Sequence, residues 1–151
     1  MKKLLTFLFT ILFSVTLFSQ TTKEFKTNRY DYCDLDFKFD ENTEYDCEIS
    51  EEEVSVSWKF LYNEDGELWR VVQDYPFLWE PNILDVDKTY WVEIHGQDIL
   101  TIHANIMAYF FGELVVLESY VLMVNFDHRV ILIIVKEDYL KQGETKGGFY
   151  Y

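Results

Sequence analysis

The chain has 151 residues, of which 27 are acidic and 13 are basic, and its formal net charge is −14 at pH 7. Nucleic acid and anionic membrane surfaces repel so acidic a protein, which argues against both as partners. The length suits one domain with a core of ordinary size. A basic protein partner, divalent cations and simple solubility remain as explanations of the charge.

Residues 1–19 have the three parts of an export signal. Lys2 and Lys3 form a basic start, Leu4 to Phe18 form an apolar segment, and Ser19 is a small residue before the predicted cleavage at Gln20. A retained membrane anchor is the alternative, but the apolar segment is short for a span and a polar chain follows. We therefore predict export to the periplasm or the extracellular space, with no stable membrane span after signal removal.

Residues 20–29 are polar and lack periodicity, and we predict that they form a flexible leader. The β domain is predicted to span residues 30–140. At its start, Leu35, Phe37 and Phe39 alternate with charged residues, as on a half-buried strand.

The only two cysteines, Cys33 and Cys47, lie symmetrically about Asp40. A chain reversal near Asp40 would bring the two thiols within the range of a disulfide. An even cysteine count in an exported chain favours that pairing. Two buried free thiols are the alternative.

Carboxylates are dense between Asp31 and Glu53. Calcium needs six to eight oxygen ligands at one point, usually from a loop with defined spacing. The segment has no such spacing, so a solvated acidic face is the preferred interpretation and calcium binding the alternative.

The segment from Glu53 to Tyr62 predicts a half-buried strand, since Val54, Val56, Trp58 and Phe60 alternate with more polar residues. Asn63 to Gly66 has the composition of a turn. The chain then returns over Glu67 to Gln73, in a register that pairs Phe60 with Trp69 and Trp58 with Val71.

Ser57-Trp58-Lys59-Phe60, on the first clear strand, resembles the tryptophan-containing opening strand of lipocalin-like domains. In that family a glycine usually stands two residues before the tryptophan, whereas this chain has Val56 there. The resemblance implies an up-and-down barrel that holds a small apolar ligand in its interior.

Asp74 to Lys88 is predicted to be the longest connection, and it contains Pro76 and Pro81. Between the prolines lie Phe77 and Trp79. So apolar a loop either plugs one end of the sheet or forms the mouth of a pocket or a partner surface.

Thr89 to Ile94 predicts a further strand, and the turn after it sets Tyr90 opposite His103. The two side chains could hydrogen-bond inside a barrel, as a satisfied core pair or as part of a site. We expect a bulge or bend near His103 to Asn105, because the strand otherwise runs unusually long.

Ile99 to Leu140 predicts three strands, separated at Gly112-Glu113 and at Asp127 to Arg129. Both faces of the middle strand are apolar, so the sheet is covered on both sides or curls around an interior. A membrane helix over Ile106 to Phe126 is the alternative. Residues 141–151, which contain three glycines, are predicted to be a loose tail.

The sequence contains no motif for a nucleophile elbow, a phosphate-binding loop or a Cys-x-x-Cys pair. His95, His103 and His128 fall in a turn, a strand and another turn, which disfavours a three-histidine zinc site. We predict no catalytic residues, no metal and no cofactor.

The predicted fold is all-β, a single antiparallel meander of seven to eight strands that forms a closed or nearly closed barrel. The predicted function is a noncatalytic exported binding module for a small apolar ligand. The alternatives are a protein-interaction or inhibitor-like module, which presents the acidic surface and the Pro76 to Pro81 loop to a basic protein, and, third, a hydrolase. The predicted ligand-binding residues are Trp58, Trp69, Phe77, Trp79, Tyr90 and His103.

Overall fold

The computed structural model describes residues 21–36, 45–49, 54–139 and 144–151. The predicted export signal and the proposed chain reversal at Asp40 lie outside these residues. The described strands are β1 Thr22–Thr27, β2 Tyr30–Asp36, β3 Tyr45–Ile49, β4 Val56–Tyr62, β5 Leu68–Asp74, β6 Asn82–Ile94, β7 Gln97–Phe110, β8 Glu113–Asn125, β9 Val130–Val135 and β10 Glu144–Tyr150. A single helical turn, α1, covers Lys136–Tyr139.

All these strands form one antiparallel sheet in the order β1-β4-β5-β6-β7-β8-β9-β10-β2-β3. The predicted all-β antiparallel class is confirmed, and the strands from β4 to β10 form a meander. The described part has ten strands, however, rather than seven or eight, and β1, β2 and β3 leave the meander order. Trp58 accordingly lies on the fourth strand in chain order and not on the first.

Two segments predicted to lack regular structure are strands. The predicted leader contains β1, which pairs with β4 from Thr22 opposite Leu61 to Thr27 opposite Val56. The predicted tail contains β10, which pairs with both β9 and β2. Backbone pairing therefore orders segments whose own composition gives little sign of a strand.

The sheet curls so that strands distant in its order contact each other. Trp58 on β4 packs edge-on against Tyr150 on β10, with ring centroids 4.9 Å apart. The hydrogen-bonded order nevertheless ends at β1 and β3, so a closed barrel is not confirmed. β1 leads directly into β2, and the intervening Asn28 and Arg29 amides both donate to the carbonyl of Tyr151, at 2.9 and 3.0 Å.

The inner face of the curled sheet carries the main core. Val56, Trp58 and Phe60 on β4 are completely buried, which confirms the predicted alternation. The core continues across the other strands with Val71, Leu84, Leu100, Ile102, Ala104, Leu122, Val124 and Ile131. On the other face, Cys33 and Ile134 are also fully buried, so β9 is covered on both sides. The middle strand β8, for which two covered faces were predicted, is buried on both only in its second half, at Val121, Leu122 and Val124.

The predicted hairpin registers are wrong by one or two residues because the turns lie elsewhere. Phe111 and Gly112 both have positive φ, of 51° and 84°, and Phe110 pairs with Glu113. Positive φ at both central residues is the conformation that a two-residue hairpin turn of type I′ requires. The β6–β7 turn is similar, since His95 and Gly96 have φ of 51° and 72°.

Three further pairings also differ from prediction. Phe60 pairs with Val71 and Tyr90 with Thr101. Val130 pairs with Asn125, whereas a loop of Asp127 to Arg129 would pair it with Phe126. The expected bulge is absent from His103 to Asn105 itself. The irregularities are extra residues on the partner strands: Asp87 on β6, opposite His103 and Ala104, and Leu117 on β8, opposite Ile106 and Met107.

The long connection predicted from Asp74 to Lys88 is mostly strand, because β6 begins at Asn82. Only residues 75–81 connect β5 with β6. The alternative of a membrane helix over Ile106 to Phe126 is wrong, since β7 and β8 occupy that segment. No helix among the described residues is long and apolar enough to cross a bilayer.

Candidate functional site

A cavity of about 390 Å³ opens at one end of the curled sheet. The register pairs Gln73 with Asn82 and Leu84 with Ile106, so the β5–β6 connection and the β7–β8 turn lie at this same end. Tyrosine rings dominate the wall. The lining residues are Tyr30, Tyr32, Gln73, Tyr75, Asn82, Leu84, Ile106, Glu118, Tyr120, Ile133, Val135, Lys146, Gly147, Gly148 and Tyr150.

A hydrogen-bonded cluster around the buried Gln73 amide forms part of the wall of this cavity. The amide nitrogen donates to the hydroxyls of Tyr75 and Tyr150, each at 3.0 Å. These hydroxyls also bond to each other at 2.5 Å. The Gln73 carbonyl oxygen in turn accepts from Asn82 Nδ2 at 3.0 Å. The cluster presents orientated polar atoms within largely apolar walls, as ligand sites commonly do.

Three tyrosines of the cavity, Tyr75, Tyr120 and Tyr150, are neutral at physiological pH. Burial raises the pKa of the Tyr75 and Tyr150 hydroxyls above the ordinary value for tyrosine, because a phenolate loses more hydration than a phenol does. Burial, and then the hydrogen bond that it donates to Glu118, raises the pKa of Tyr120 in the same direction. The cavity therefore offers hydroxyl groups and not phenolates.

Charge is confined to the exposed rim. Glu118 accepts a hydrogen bond from Tyr120 there, and Lys146 is exposed on β10. Aromatic rings and aliphatic side chains form most of the remaining wall beside the Gln73 cluster. Such a site suits a small molecule with an apolar body and a hydrogen-bonding group.

Gly148 gives the cavity part of its shape. A Cβ atom at this position would overlap the ring of Tyr30, so the absence of a side chain lets that ring lie directly against β10. Tyr30 also packs on Tyr150, with centroids 4.8 Å apart. The glycine thus allows a second aromatic layer in the wall.

The other half of the interior is filled. Trp58 borders the cavity residues, since it pairs with Gln73 and packs on Tyr150, and its Nε1 donates a 3.2 Å hydrogen bond to Thr27 Oγ1. Phe60 stacks on Phe25 at 5.6 Å and meets Phe126 edge-on at 5.0 Å. A pocket and a filled core were alternatives for the predicted barrel interior, and this molecule contains one at each end.

The predicted ligand-binding residues do not line this cavity. Trp58 is a core side chain that packs on the lining residue Tyr150. Trp79 is fully exposed on the β5–β6 connection. Phe77 is exposed on the same connection and packs on Tyr75 at 5.2 Å. Trp69 lies elsewhere, with the Arg70 guanidinium 4.4 Å above its ring centroid.

Tyr90 and His103 contact each other as expected, with the hydroxyl 3.4 Å from Nε2. The prediction that they lie inside a barrel is wrong. His103 alternates along β7 with the core residues Ile102 and Ala104, so it occupies the outer face. Burial, Lys136 and Lys88 lower the pKa of His103, which keeps the imidazole neutral near pH 7.

Trp69 lines a second, more polar depression of about 530 Å³. It lies between the β4–β5 turn and β6, where Asp87, Lys88 and Glu67 contribute charged groups. We favour the tyrosine-lined cavity as the candidate site because it alone of the two contains the buried amide and hydroxyl cluster.

The sequence contained some signals for the residues that were missed. Gln73 shares a face with the core residue Val71, so a polar side chain stands in an apolar row. Tyr120 similarly extends the row of Leu122 and Val124. Tyr150 had no such signal, because its segment was assigned to a tail.

The register places Cys33 directly opposite Cys47 on neighbouring strands, as a cross-strand disulfide requires. The pairing itself stays a prediction. The described part of the acidic segment gives no support for calcium, since no group of three or more His, Cys, Asp or Glu side chains is found there that could hold a metal ion.

Comparisons with protein-family models, with curated proteins and with solved structures find no match to this chain. The site is therefore argued from its geometry alone. The lipocalin-like resemblance of the Trp58 strand likewise stays a prediction.

Proposed function

We propose that the protein is a noncatalytic, exported binding module that holds a small, mainly apolar ligand in the tyrosine-lined cavity. One observation carries the proposal: the hydrogen-bonded cluster of Gln73, Tyr75 and Tyr150 lines a largely apolar cavity of about 390 Å³. A ligand would place its apolar body against the rings and hydrogen-bond to this cluster. Aromatic surface contributes most of the contact area, and the cluster contributes orientation.

We also propose that the curled sheet acts as a barrel, in the manner that the lipocalin-like resemblance implies. Support comes from the passage of β1 directly into β2, which lets one stretch of chain bond to β4 and to β10. Hydrogen exchange tests the idea. The Arg29 amide, bonded to Tyr151, should exchange as slowly as the amides of β9, and fast exchange would contradict barrel closure.

The first experiment is native mass spectrometry of mature protein purified without detergent, followed by extraction under denaturing conditions. A stoichiometric apolar passenger is the expected result. The same spectrum tests export, because a cleaved chain begins at Gln20. An empty protein that also takes up no apolar fluorescent dye would contradict the proposal.

Two variants locate the dye. Ile106→Trp fills part of the cavity from a half-buried wall position, and we expect dye affinity to fall about tenfold or more. Tyr120→Phe removes only a hydroxyl from the wall. Tyr90→Phe is its matched control, since Tyr90 is a half-buried, hydrogen-bonded tyrosine on the outer face. Equal effects of all three variants would place the dye elsewhere.

A second candidate function is a protein-interaction module that presents the Pro76 to Pro81 loop to a basic partner. Its support is the exposure of Phe77 and Trp79 beside the acidic Glu80. Salt dependence separates the candidates. Capture of a basic partner should weaken steeply with ionic strength, whereas uptake of an apolar dye should not.

A further inference from the structure

The β7–β8 hairpin extends beyond its neighbouring strands. The last β7 residue paired with β6 is Ile106, opposite Leu84. The first β8 residue paired with β9 is Tyr120, opposite Val135. Residues 107–117, here called the ribbon, therefore pair only with each other among the described strands. A two-stranded ribbon is at best marginally stable in water on its own.

The ribbon exposes much apolar surface. Phe111 at its tip is 97% exposed and Tyr109 is 77% exposed, and Leu114 and Leu117 are each more than half exposed. A patch of this kind on an otherwise acidic protein marks a contact site. Its backbone edge along Glu113–Ser119 also lacks a neighbouring strand among those described.

A second open edge shows that this exposure is not general. β6 pairs with β5 only as far as Asp85, opposite Arg70, so the rest of its edge has no other described strand beside it. A bulge at Asp87 and the charges of Lys88 and Glu93 interrupt that edge. Bulges and charges are the usual protection of edge strands against pairing. On the β8 edge the bulge at Leu117 and the charges of Glu113 and Glu118 lie outside the apolar stretch from Leu114 to Val116, which is therefore uninterrupted.

Charge distinguishes the candidate occupants of the β8 edge. Its apolar stretch is bracketed by Glu113 and Glu118, both exposed. An antiparallel pair of two β8 edges centred on Val115 would set Glu113 of each copy opposite the Leu117 bulge and beside Glu118 of the other copy, and like charges across a strand pair are destabilising. The net charge of −14 adds repulsion between copies. A strand with basic ends meets neither obstacle.

We propose that a partner protein adds an extended segment to the β8 edge, with apolar side chains in its middle and Lys or Arg at both ends. The segment would continue the sheet along the line where β9 ends at Val135. Backbone hydrogen bonds supply affinity in this mode of recognition, and side chains supply specificity. Leu114 and Val116 share a face of the ribbon and would contact the alternate apolar side chains of the partner.

A synthetic strand tests the proposal directly. The probe is a labelled, end-blocked peptide of the sequence Lys-Val-Thr-Val-Thr-Val-Lys, measured by fluorescence anisotropy at low salt on the full mature protein. We expect saturable binding that weakens with added salt. A peptide with Glu in place of both Lys residues should bind about tenfold more weakly. Failure of the Lys peptide to bind would overturn the proposal.

Backbone pairing is tested separately from side-chain contact. Two versions of the peptide carry N-methyl groups at alternate positions, so each blocks hydrogen bonding along one edge only. Strand addition predicts that one version loses binding and the other keeps it. Equal binding of both versions would contradict strand addition.

Protein variants identify the edge. Leu114→Lys together with Val116→Lys places charges on the exposed ribbon and should weaken peptide binding about tenfold or more. Thr89→Lys is the matched control, since Thr89 is an exposed residue on the open part of the β6 edge. An excess of the apolar dye should leave peptide binding unchanged, which separates this proposal from the proposed ligand. Concentration-dependent dimers, or binding to phosphatidylcholine vesicles, abolished by the same Lys pair would instead assign the ribbon to a second copy or to a lipid surface.

Discussion

The two ends of the interior are both rich in aromatic rings but differ in what the rings carry. At the packed end, Phe60 is completely buried and contacts Phe25 and Phe126. At the cavity end, Tyr75 and Tyr150 bring hydroxyl groups that must be hydrogen-bonded. A phenyl ring can be surrounded on all sides, whereas a buried phenol needs a polar partner. The phenylalanine rings therefore pack without a cavity at one end, and the tyrosines line a cavity with orientated hydroxyl groups at the other.

The difference separates stability from binding. Complete burial of large rings contributes most of the hydrophobic free energy of a small core. We therefore expect changes at the packed end to act on unfolding, and changes of hydroxyl groups at the cavity end to act mainly on ligand uptake.

The largest effect on stability should come from Trp58→Ala. It removes a fully buried indole from the core beside Tyr150, and we expect the free energy of unfolding to fall by about 3–5 kcal/mol. Urea denaturation followed by circular dichroism measures the change. Trp79→Ala is the matched control, because Trp79 is fully exposed and its loss should cost less than about 0.5 kcal/mol. Similar losses for both variants would refute the distinction.

The next largest effect tests whether the cavity end relies on a covalent link. Cys33 lies on β2 opposite Cys47, and β2 also supplies Tyr30 and Tyr32 to the cavity wall. A disulfide that closes a loop of about 15 residues contributes about 3 kcal/mol. The double Cys→Ser variant should lose that stability in urea. Nonreduced protein should be lighter than reduced protein by two hydrogen atoms, and two alkylatable thiols would exclude the link.

Gln73→Leu should have an intermediate effect. It leaves the buried hydroxyls of Tyr75 and Tyr150 without their amide donor and leaves Asn82 without its acceptor. Loss of partners for buried polar groups costs about 1–3 kcal/mol, again measurable in urea. Gln97→Leu is the comparison, since Gln97 is exposed and accepts from Asn125 at the opposite end. A larger loss of stability for Gln97→Leu would mean that the Gln97–Asn125 hydrogen bond, and not the Gln73 cluster, contributes more to folding.

The smallest predicted effect is an alkaline loss of stability that originates at the cavity end. Burial raises the pKa of Tyr150, so above pH 10 the unfolded chain releases this proton before the folded chain does. Stability is therefore unaffected below pH 10 and falls as the pH rises above it, by about 1 kcal/mol between pH 10 and 11 from this residue. Denaturation at the two pH values measures the fall. Tyr150→Phe should reduce it, and an unchanged fall would mean that other groups are responsible.

The all-β class could be predicted because it depends on local patterns. Val56, Trp58 and Phe60 alternate with more polar residues, and this period survives in the structure. The registers could not, because they depend on turn conformation. Phe111 adopts a positive φ, which is uncommon outside glycine, asparagine and aspartate, and this choice shifts every pair along β7 and β8.

The candidate site depends on contacts that no local pattern encodes. Gln73 and Tyr150 are 77 positions apart in the chain, and they meet only because the sheet curls. The predicted site relied on tryptophans, but a large aromatic ring suits a filled core as well as a ligand pocket. Trp58 has Thr27 as its partner, another contact that depends on β1.

The position of β10 has a consequence for how the chain acquires its fold. β10 is the last described strand in chain order, yet it lies between β9 and β2, and Tyr150 pairs with both Ile131 and Tyr30. Contacts so distant in sequence form slowly. β2 and β3 cannot join the sheet until the segment Glu144–Tyr150 has been synthesised. A nascent chain would therefore stay incompletely folded at least until Tyr150 has been synthesised, a state compatible with the export that we propose.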